Sequence, residues 1–474
     1  MKKKNLLRSL EAVLFCAALL FVLSALSGLM ERKASREQFG PFLEEPKQYD
    51  VLFLGDSRFV NSLFPMELWE DYGVAGYNLS CYGNTMPVNY WTLVNALDYA
   101  QPKVVVLAVN GVRKDLKVTG SSSDLHTALD FLPLTPNKVR AIWDLTADPW
   151  AVDDDGNRYA DMRWEYVFTL AKYHERWNTL TPRDFEGRPN VQKGADMMVG
   201  VAPTEDYNII DEDLYEEEQG VGYAYIRRTI EECRKRDIGI LLVHLPYPAS
   251  ENSQMNANTV GGIAEEYGVE YIDFVRLDSV VDYAVDCYDQ HAHLNPSDGL
   301  KVTDYLGRYL TEHYPIEDRR TDPDYANWQK AEQDYAAYKR NLICAQNTLP
   351  NMLLMLHDDS VSASIAIRAQ ADLYWDDQIL TLLHNTAREH VFEEDNYSKW
   401  SNSMFPLEGL DDAVYMDEAY FLELDRAHDA AAEYVGEEAA ARTEETFGAF
   451  EAGKEIRIQL RDPKTGEILA DRQF

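Results

Sequence analysis

Five short, mostly apolar runs punctuate the chain up to residue 274: Asp50–Leu54, Gly76–Leu79, Val104–Val109, Ile238–Leu245 and Val269–Phe274. Rich in β-branched residues, they read as strands covered on both faces, as in a parallel sheet. Between them, apolar positions recur at three- and four-residue spacing in Pro87–Tyr99, Tyr223–Lys235 and Asn258–Tyr267, which predicts helices. Asp298–Tyr314 closes the series, with Leu300, Val302, Tyr305, Leu306 and Leu310 along one side. Alternating strands and helices imply an α/β unit over residues 49–315, a doubly wound parallel sheet in a three-layer sandwich.

Two stretches break the alternation. Residues 120–219 carry Trp143, Trp150, Trp164 and Trp177 among polar, Pro- and Gly-containing segments between the third and fourth strands. They are expected to form a helical insertion overhanging the carboxyl end of the sheet, with the tryptophans building its core rather than stacking on a sugar. Residues 316–474 change character again. A long charged helix is expected at Asp322–Gln346, strands at Met352–Met355 and Val361–Ile367, and a hairpin pairing Ile456–Leu460 with Ile468–Asp471 around Asp462–Gly466. This reads as a small C-terminal α+β domain that carries no chemical motif.

The N-terminus bears on the compartment. Lys2, Lys3, Lys4 and Arg8 precede Ala12–Met30, a run without a charge that is nearly long enough to cross about 30 Å of hydrocarbon. Ser24, Ala25, Ser27 and Gly28 would suit a signal peptidase, yet the run exceeds the roughly 7–15 apolar residues of a cleaved leader. The expectation is a cytoplasmic tail over 1–9, a single-pass signal anchor over 10–30, a linker over 31–48 and everything beyond outside the cytoplasm. Soluble cofactors such as NAD or ATP are scarce there, so none is expected.

Charge and cysteine usage narrow the choice further. Against 45 Lys and Arg stand 81 Asp and Glu, a formal net charge of −36, and such a surface repels a phosphate backbone, which argues against nucleic acid. The five cysteines, Cys16, Cys81, Cys233, Cys287 and Cys344, form no C-x-x-C pair and signal neither a metal site nor a disulfide framework.

Ligands of a doubly wound sheet sit beyond the carboxyl ends of its strands, so the residues following each run are the ones to inspect. They are Gly55-Asp56-Ser57, Cys81-Tyr82-Gly83-Asn84, Asn110-Gly111, Pro246-Tyr247-Pro248 and Asp289 through Asn295. A serine, a flexible glycine, amides, an aspartate and a histidine converge on one edge, which is the parts list for acyl transfer. His244, inside an apolar run, reads as a core histidine.

These residues resemble the SGNH/GDSL ester hydrolases and acyltransferases over roughly Tyr49–Tyr314. Gly55-Asp56-Ser57 after a first strand is similar to the nucleophile block, Gly83-Asn84 to the oxyanion glycine block, and Asp289 with His293, followed by Leu294-Asn295-Pro296, to the late Asp/His block. Two departures stand out. Asp289 precedes His293 by four residues rather than three, a step one helical turn would still bring together, and Asn110 lies nearer its strand than the family's third-block amide. The resemblance implies Ser57 as nucleophile, His293 as base and Asp289 as its orienting partner, with Gly83, Asn84 and Asn110 as oxyanion donors and His291 as the rival base. It is nearest to membrane-anchored bacterial relatives in alginate acetylation and teichoic-acid D-alanylation. It therefore implies an extracytoplasmic esterase or O-acyltransferase working on acyl, foremost acetyl, esters of a cell-envelope glycan, with an integral-membrane O-acyltransferase as a partner. The alternative is a non-catalytic envelope scaffold binding a glycan or such a partner.

Overall fold

A computed structural model describes residues 2–31, 33–44, 48–186, 190–204, 209–210, 214–217, 219–248, 250–277, 281–291, 293–387, 392–393, 396–400, 407–428 and 430–474. The elements begin with α1 (Lys2–Met30) and α2 (Lys33–Glu44), followed by β1 (Val51–Leu54), α3 (Ser57–Ser62), α4 (Pro65–Tyr72), β2 (Gly76–Asn78), α5 (Met86–Ala96) and β3 (Val104–Ala108). Between β3 and the next strand come α6 (Ser122–Leu129), α7 (Pro136–Leu145), α8 (Arg163–Val167), α9 (Leu170–Tyr173), α10 (Arg183–Glu186) and α11 (Val221–Lys235). Then follow β4 (Gly239–His244), α12 (Glu251–Tyr267), β5 (Glu270–Asp273) and α13 (Pro296–His313). The C-terminal part comprises α14 (Ala326–Cys344), α15 (Leu349–Leu354), β6 (Ser362–Ile367), α16 (Asp377–Thr386), β7 (Phe392–Glu393), β8 (Asn396–Trp400), α17 (Glu408–Met416), β9 (Tyr420–Asp425), β10 (Ala430–Val435), α18 (Glu437–Phe447), β11 (Ile456–Arg461) and β12 (Ile468–Gln473).

The strands β1 to β5 make one parallel sheet in the order β2-β1-β3-β4-β5. From β1 the chain first adds β2 on one side and later β3 on the other, so the order reverses between β1 and β3, where a doubly wound sheet opens a crevice. Every side chain of β1 and β3 is buried, and their two-residue period divides them between two layers. Leu52, Leu54, Val105 and Leu107 pack with Leu93, Ile226, Ile230, Val260 and Ile263 of α5, α11 and α12. Val51, Phe53, Val104 and Val106 pack with Leu68 of α4 and Val302, Leu306 and Leu310 of α13. This is the doubly wound α/β class expected from the sequence.

A second sheet, antiparallel in the order β10-β9-β6-β11-β12, forms the C-terminal domain, and the hairpin β11–β12 lies where its turn residues place it. The two sheets are joined through α14. Trp328 and Tyr335 of α14 are buried, and Trp328 packs 5.0 Å from Trp69 of α4 between ring centroids. Lys339 on the same helix reaches Glu67 Oε1 (3.0 Å), Glu70 Oε2 (3.1 Å) and Asp358 Oδ2 (3.1 Å), while the Tyr335 hydroxyl donates to Glu67 Oε1 (2.8 Å).

Several expectations need correction. Residues 31–48 are no simple linker: α2 occupies Lys33–Glu44 and buries Phe39 and Phe42, with Phe42 stacked 5.2 Å from Tyr49. Met352–Met355 is not a strand, because Leu349–Leu354 winds into the short helix α15, begun by Thr348 and a proline in its first turn. At the carboxyl edge the insertion contributes residues 193–204, which bond to Asn78, Tyr283 and Cys287, and Asp124 of α6 beside Gly83. Others of its helices lie elsewhere, with α7 against α5 and α9 and α10 against α1. Nor do its tryptophans build a core, since Trp143, Trp150, Trp164 and Trp177 are all exposed.

Helix α1 contains a stretch, Arg8–Met30, long and apolar enough to cross a membrane. The cysteines Cys81, Cys233 and Cys287 are buried thiols, and none of the five is bonded to another.

Removing the cation that holds the two domains together isolates its contribution. Lys339→Met leaves buried carboxylates uncompensated and is expected to cost about 3–5 kcal/mol, read as a lower urea midpoint. Burial first, and then the charge of Glu67, push the Glu70 carboxyl up to about 8 against the pull of Lys339. A raised carboxyl favours the folded state most below the ordinary glutamate range and loses that contribution as pH climbs toward 8. Glu70→Gln is therefore expected to flatten the decline of the urea midpoint between about pH 5 and 8.

Candidate active site

The site begins at the end of β1, where the chain turns sharply. A Cβ on Gly55 would stand 2.8 Å from Ala108 Cβ and 2.9 Å from Phe59 Cβ, so only glycine lets β1 close on β3 and release the chain into α3. Asp56 caps α3 by accepting from the Arg58 N–H (3.1 Å). The capping role falls to the aspartate and leaves the Ser57 hydroxyl at the first helical position for another partner.

That partner is His293, whose Nε2 lies 2.8 Å from Ser57 Oγ across 236 residues of chain. On the far side of the ring, Nδ1 stands 2.9 Å from Asp289 Oδ2. A carboxylate can only accept, so the ring proton sits on Nδ1 and Nε2 offers its lone pair to the Ser57 hydroxyl. Ser57, His293 and Asp289 thus touch in series.

No helix brings Asp289 and His293 together; a tight loop does. Asp289 Oδ1 accepts from the backbone N–H of His291 (3.0 Å) and of His293 (3.1 Å), which curls the chain around the carboxylate. Burial pushes the Asp289 carboxyl up, but these N–H groups and the His293 ring more than offset it and hold it below the usual aspartate range. His291 is exposed and lends only its backbone N–H.

The flanks of the loop are locked. The Tyr288 N–H donates to His293 O (2.9 Å), Cys287 bridges Leu294, and the Asn295 N–H donates to Asp286 O (2.9 Å). Asn295 also caps α13 and donates from Nδ2 to Val285 O (2.6 Å) and Gly200 O (3.0 Å). Beneath it, Lys301 of α13 pairs with the buried Asp286 (2.5 Å).

Gly83 takes a left-handed φ of +72°, and a Cβ there would lie 2.3 Å from Asp124 Oδ2. Neither the Ser57 nor the Gly83 backbone N–H has an acceptor among the described residues. Asn84 donates from Nδ2 to Asn89 Oδ1 (2.8 Å), which fixes its amide. Asn110 is held elsewhere: Nδ2 donates to Leu245 O (3.0 Å) and Oδ1 accepts from Leu245 N (2.8 Å). Two residues beyond the end of β3, the amide extends the β3–β4 ladder by a rung, which commits Oδ1 and one Nδ2 hydrogen to Leu245.

Other groups gather at this edge; of these Tyr288 and Asp196 carried no local sequence signal, whereas Tyr82 and Tyr247 lie in the turns after β2 and β4. The Tyr288 ring stacks on His293 at 5.6 Å between centroids. From the insertion, Asp196 accepts from the Tyr82 hydroxyl (3.1 Å), and burial pushes its carboxyl up. The Arg58 guanidinium lies 4.5 Å over the Tyr247 ring. His244 is buried as expected, but it also pairs through Nδ1 with Asp273 (2.8 Å), which caps the turn after β5. Among the described residues, no group of three His, Cys, Asp or Glu side chains is placed to hold a metal ion.

The chain matches no family model. No curated protein matches it either. Solved structures similar to it include a candidate acylhydrolase from Bacteroides fragilis NCTC 9343, at 12% identity over 58% of this chain and 95% of that one, with a TM-score of 0.28. Another is an acetyl xylan esterase from the rumen bacterium Butyrivibrio proteoclasticus, at 10% identity over 56% of this chain and 64% of the other, TM-score 0.25. A third is a GDSL-like lipase from Bacteroides thetaiotaomicron VPI-5482, at 11% identity, 59% and 98% coverage and a TM-score of 0.27.

Asp289→Asn keeps an oxygen for the two backbone N–H groups but sets an amide against His293 Nδ1, which reverses the ring's tautomer. Fluorophosphonate labelling of Ser57, followed by peptide mass spectrometry, is expected to slow by about 10⁴-fold, as in other triads that lose this carboxylate. The urea midpoint should barely move.

Proposed function

We propose that this chain is a membrane-anchored serine esterase or O-acyltransferase of the SGNH type that acts outside the cytoplasm on acyl, foremost acetyl, esters of cell-envelope glycans. The observation that carries the proposal is the Ser57–His293–Asp289 series at the switch point of the parallel sheet. Ser57 Oγ attacks the ester carbonyl carbon as its proton passes to His293 Nε2, and Asp289 stabilises the imidazolium that results. The carbonyl oxygen becomes an oxyanion, for which the unpartnered N–H groups of Ser57 and Gly83 are the donors, each worth about 2.7–4 kcal/mol in a preorganised site. Collapse expels the alcohol, protonated by His293, and leaves an acyl-serine. Water or a sugar hydroxyl, deprotonated by the same imidazole, then takes the acyl group and regenerates Ser57.

The membrane part of the proposal rests on the apolar stretch Arg8–Met30 and on the lysines that precede it. Anchoring holds the site beside lipid-linked polymer and beside any integral-membrane acyl donor, which raises their effective concentration. A neutral glycan suits the acidic surface better than a polyanion.

Wild-type protein is expected to react with a fluorophosphonate and to hydrolyse acetyl esters, and Ser57→Ala to do neither. Labelling that persists in Ser57→Ala would defeat the proposal. His293→Ala should reduce turnover by about 10³-fold or more, whereas His291→Ala retains most of it. Mass spectrometry of neutral oligosaccharides incubated with an activated acetyl ester separates transfer from hydrolysis. Acetylated sugar marks a transferase, and free acetate alone an esterase.

Protease added outside intact cells should release a large fragment ending at Phe474.

A further inference from the structure

The insertion presents large aromatic side chains to solvent where a folded subdomain would bury them. Trp150 is 83% exposed, Trp177 69%, and Trp164 and Phe185 67% each. Leu134, Trp143 and Phe168 of the insertion are exposed as well. Isolated apolar residues on a surface need no explanation, but a concentration of this kind marks a binding face. Tryptophan combines an apolar body with a polar N–H and collects where hydrocarbon meets headgroups.

Position supplies the second observation. The elements bearing Phe185 and Trp177, α10 and the 3₁₀ turn His174–Asn178, pack directly on α1, as does α9 beside them. Ser27 Oγ shares a hydrogen bond with Thr169 Oγ1 (2.7 Å). The Arg176 guanidinium donates to Met30 O (2.7 Å) and is held by Asp184 (2.7 Å). Trp164, on α8, meets Trp143 edge to face at 6.0 Å. A crevice of about 630 Å³ separates the last turns of α1 from the insertion; beside Leu20, Leu23 and Phe168 its lining includes Glu31, Asp130 and Lys138.

The 23 residues of Arg8–Met30 extend about 34 Å at roughly 1.5 Å per residue, against about 30 Å of hydrocarbon. Met30 therefore lies near the edge of any bilayer that α1 crosses, and whatever is bonded to Ser27 and Met30 lies at the interface. We propose that the insertion docks on a phospholipid bilayer, with Trp164, Trp177 and Phe185 in the interfacial layer of the leaflet that α1 leaves. This rests on reading α1 as a membrane span. A chain of net charge −36 gains nothing from anionic lipid, so zwitterionic headgroups suffice.

The test uses the full chain in phosphatidylcholine vesicles with and without a phosphatidylcholine brominated high on its acyl chain. Helix α1 contains no tryptophan, so quenching reports on the domain alone. Bromolipid is expected to quench the wild type, Trp164→Phe/Trp177→Phe to lose most of that quenching, and Trp375→Phe, which removes an exposed tryptophan of the C-terminal domain, to lose none. Undiminished quenching in the double variant, or absence of quenching in a wild type that floats with the vesicles, overturns the docking alone. A wild type that fails to float overturns the membrane span and the docking with it.

Discussion

A strand with no exposed side chain imposes its own surroundings. All four residues of β1 are buried, two on each face, and so are all five of β3 beside it. Both layers of helices follow from that constraint, because neither face of the sheet tolerates water. What remains open is the edge where the strands end. Chemistry collects there because the backbone turns outward with its polar groups free, and at β1 it turns within one residue because Gly55 lets the strand close on Ala108.

One carboxylate organises that edge. Asp289 accepts two backbone N–H groups with one oxygen and the imidazole with the other, so the carboxylate that shapes the loop also sets the tautomer of His293. The side chain around which the loop folds is therefore the one that orients the imidazole facing Ser57. Support comes from outside the loop as well, through Asn295 on the Gly200 carbonyl and Lys301 on Asp286.

Much of this was legible in the sequence, and what was not has physical causes. The five strands stand out because apolar runs buried on both sides need no alternation to be recognised, and Ser57, Asp289 and His293 because each follows such a run. Helix α2 was hidden by Gly40-Pro41 in its middle, a pair that usually ends helices. Six residues were too few to tell α15 from a strand by periodicity. Asn110 has the right chemistry beyond a strand end, and its two bonds to Leu245, which commit Oδ1 and one Nδ2 hydrogen, leave no sign in the sequence. The tryptophans of the insertion misled because large aromatic residues ordinarily mark a core. Tyr288 and Asp196 reach the site through long-range packing, for which a single sequence has no local sign.

Helix α2 joins the end of α1 to the sheet, and its burial makes that joint stiff. Gln38 donates to Gly194 O (2.8 Å) beside the carboxyl edge of β2, and three residues on, Pro41 O accepts from the Tyr49 hydroxyl near the start of β1. The helix thus runs down the side of the domain against the strand direction, so the chain arrives from α1 at the same end of the sheet that carries Ser57. A domain on a loose string sweeps a hemisphere set by the length of its leash. One clamped in this way has a fixed reach: the edge that carries Ser57 stays at a set height and tilt relative to α1, and under the proposed function that is the height to which an ester has to be delivered.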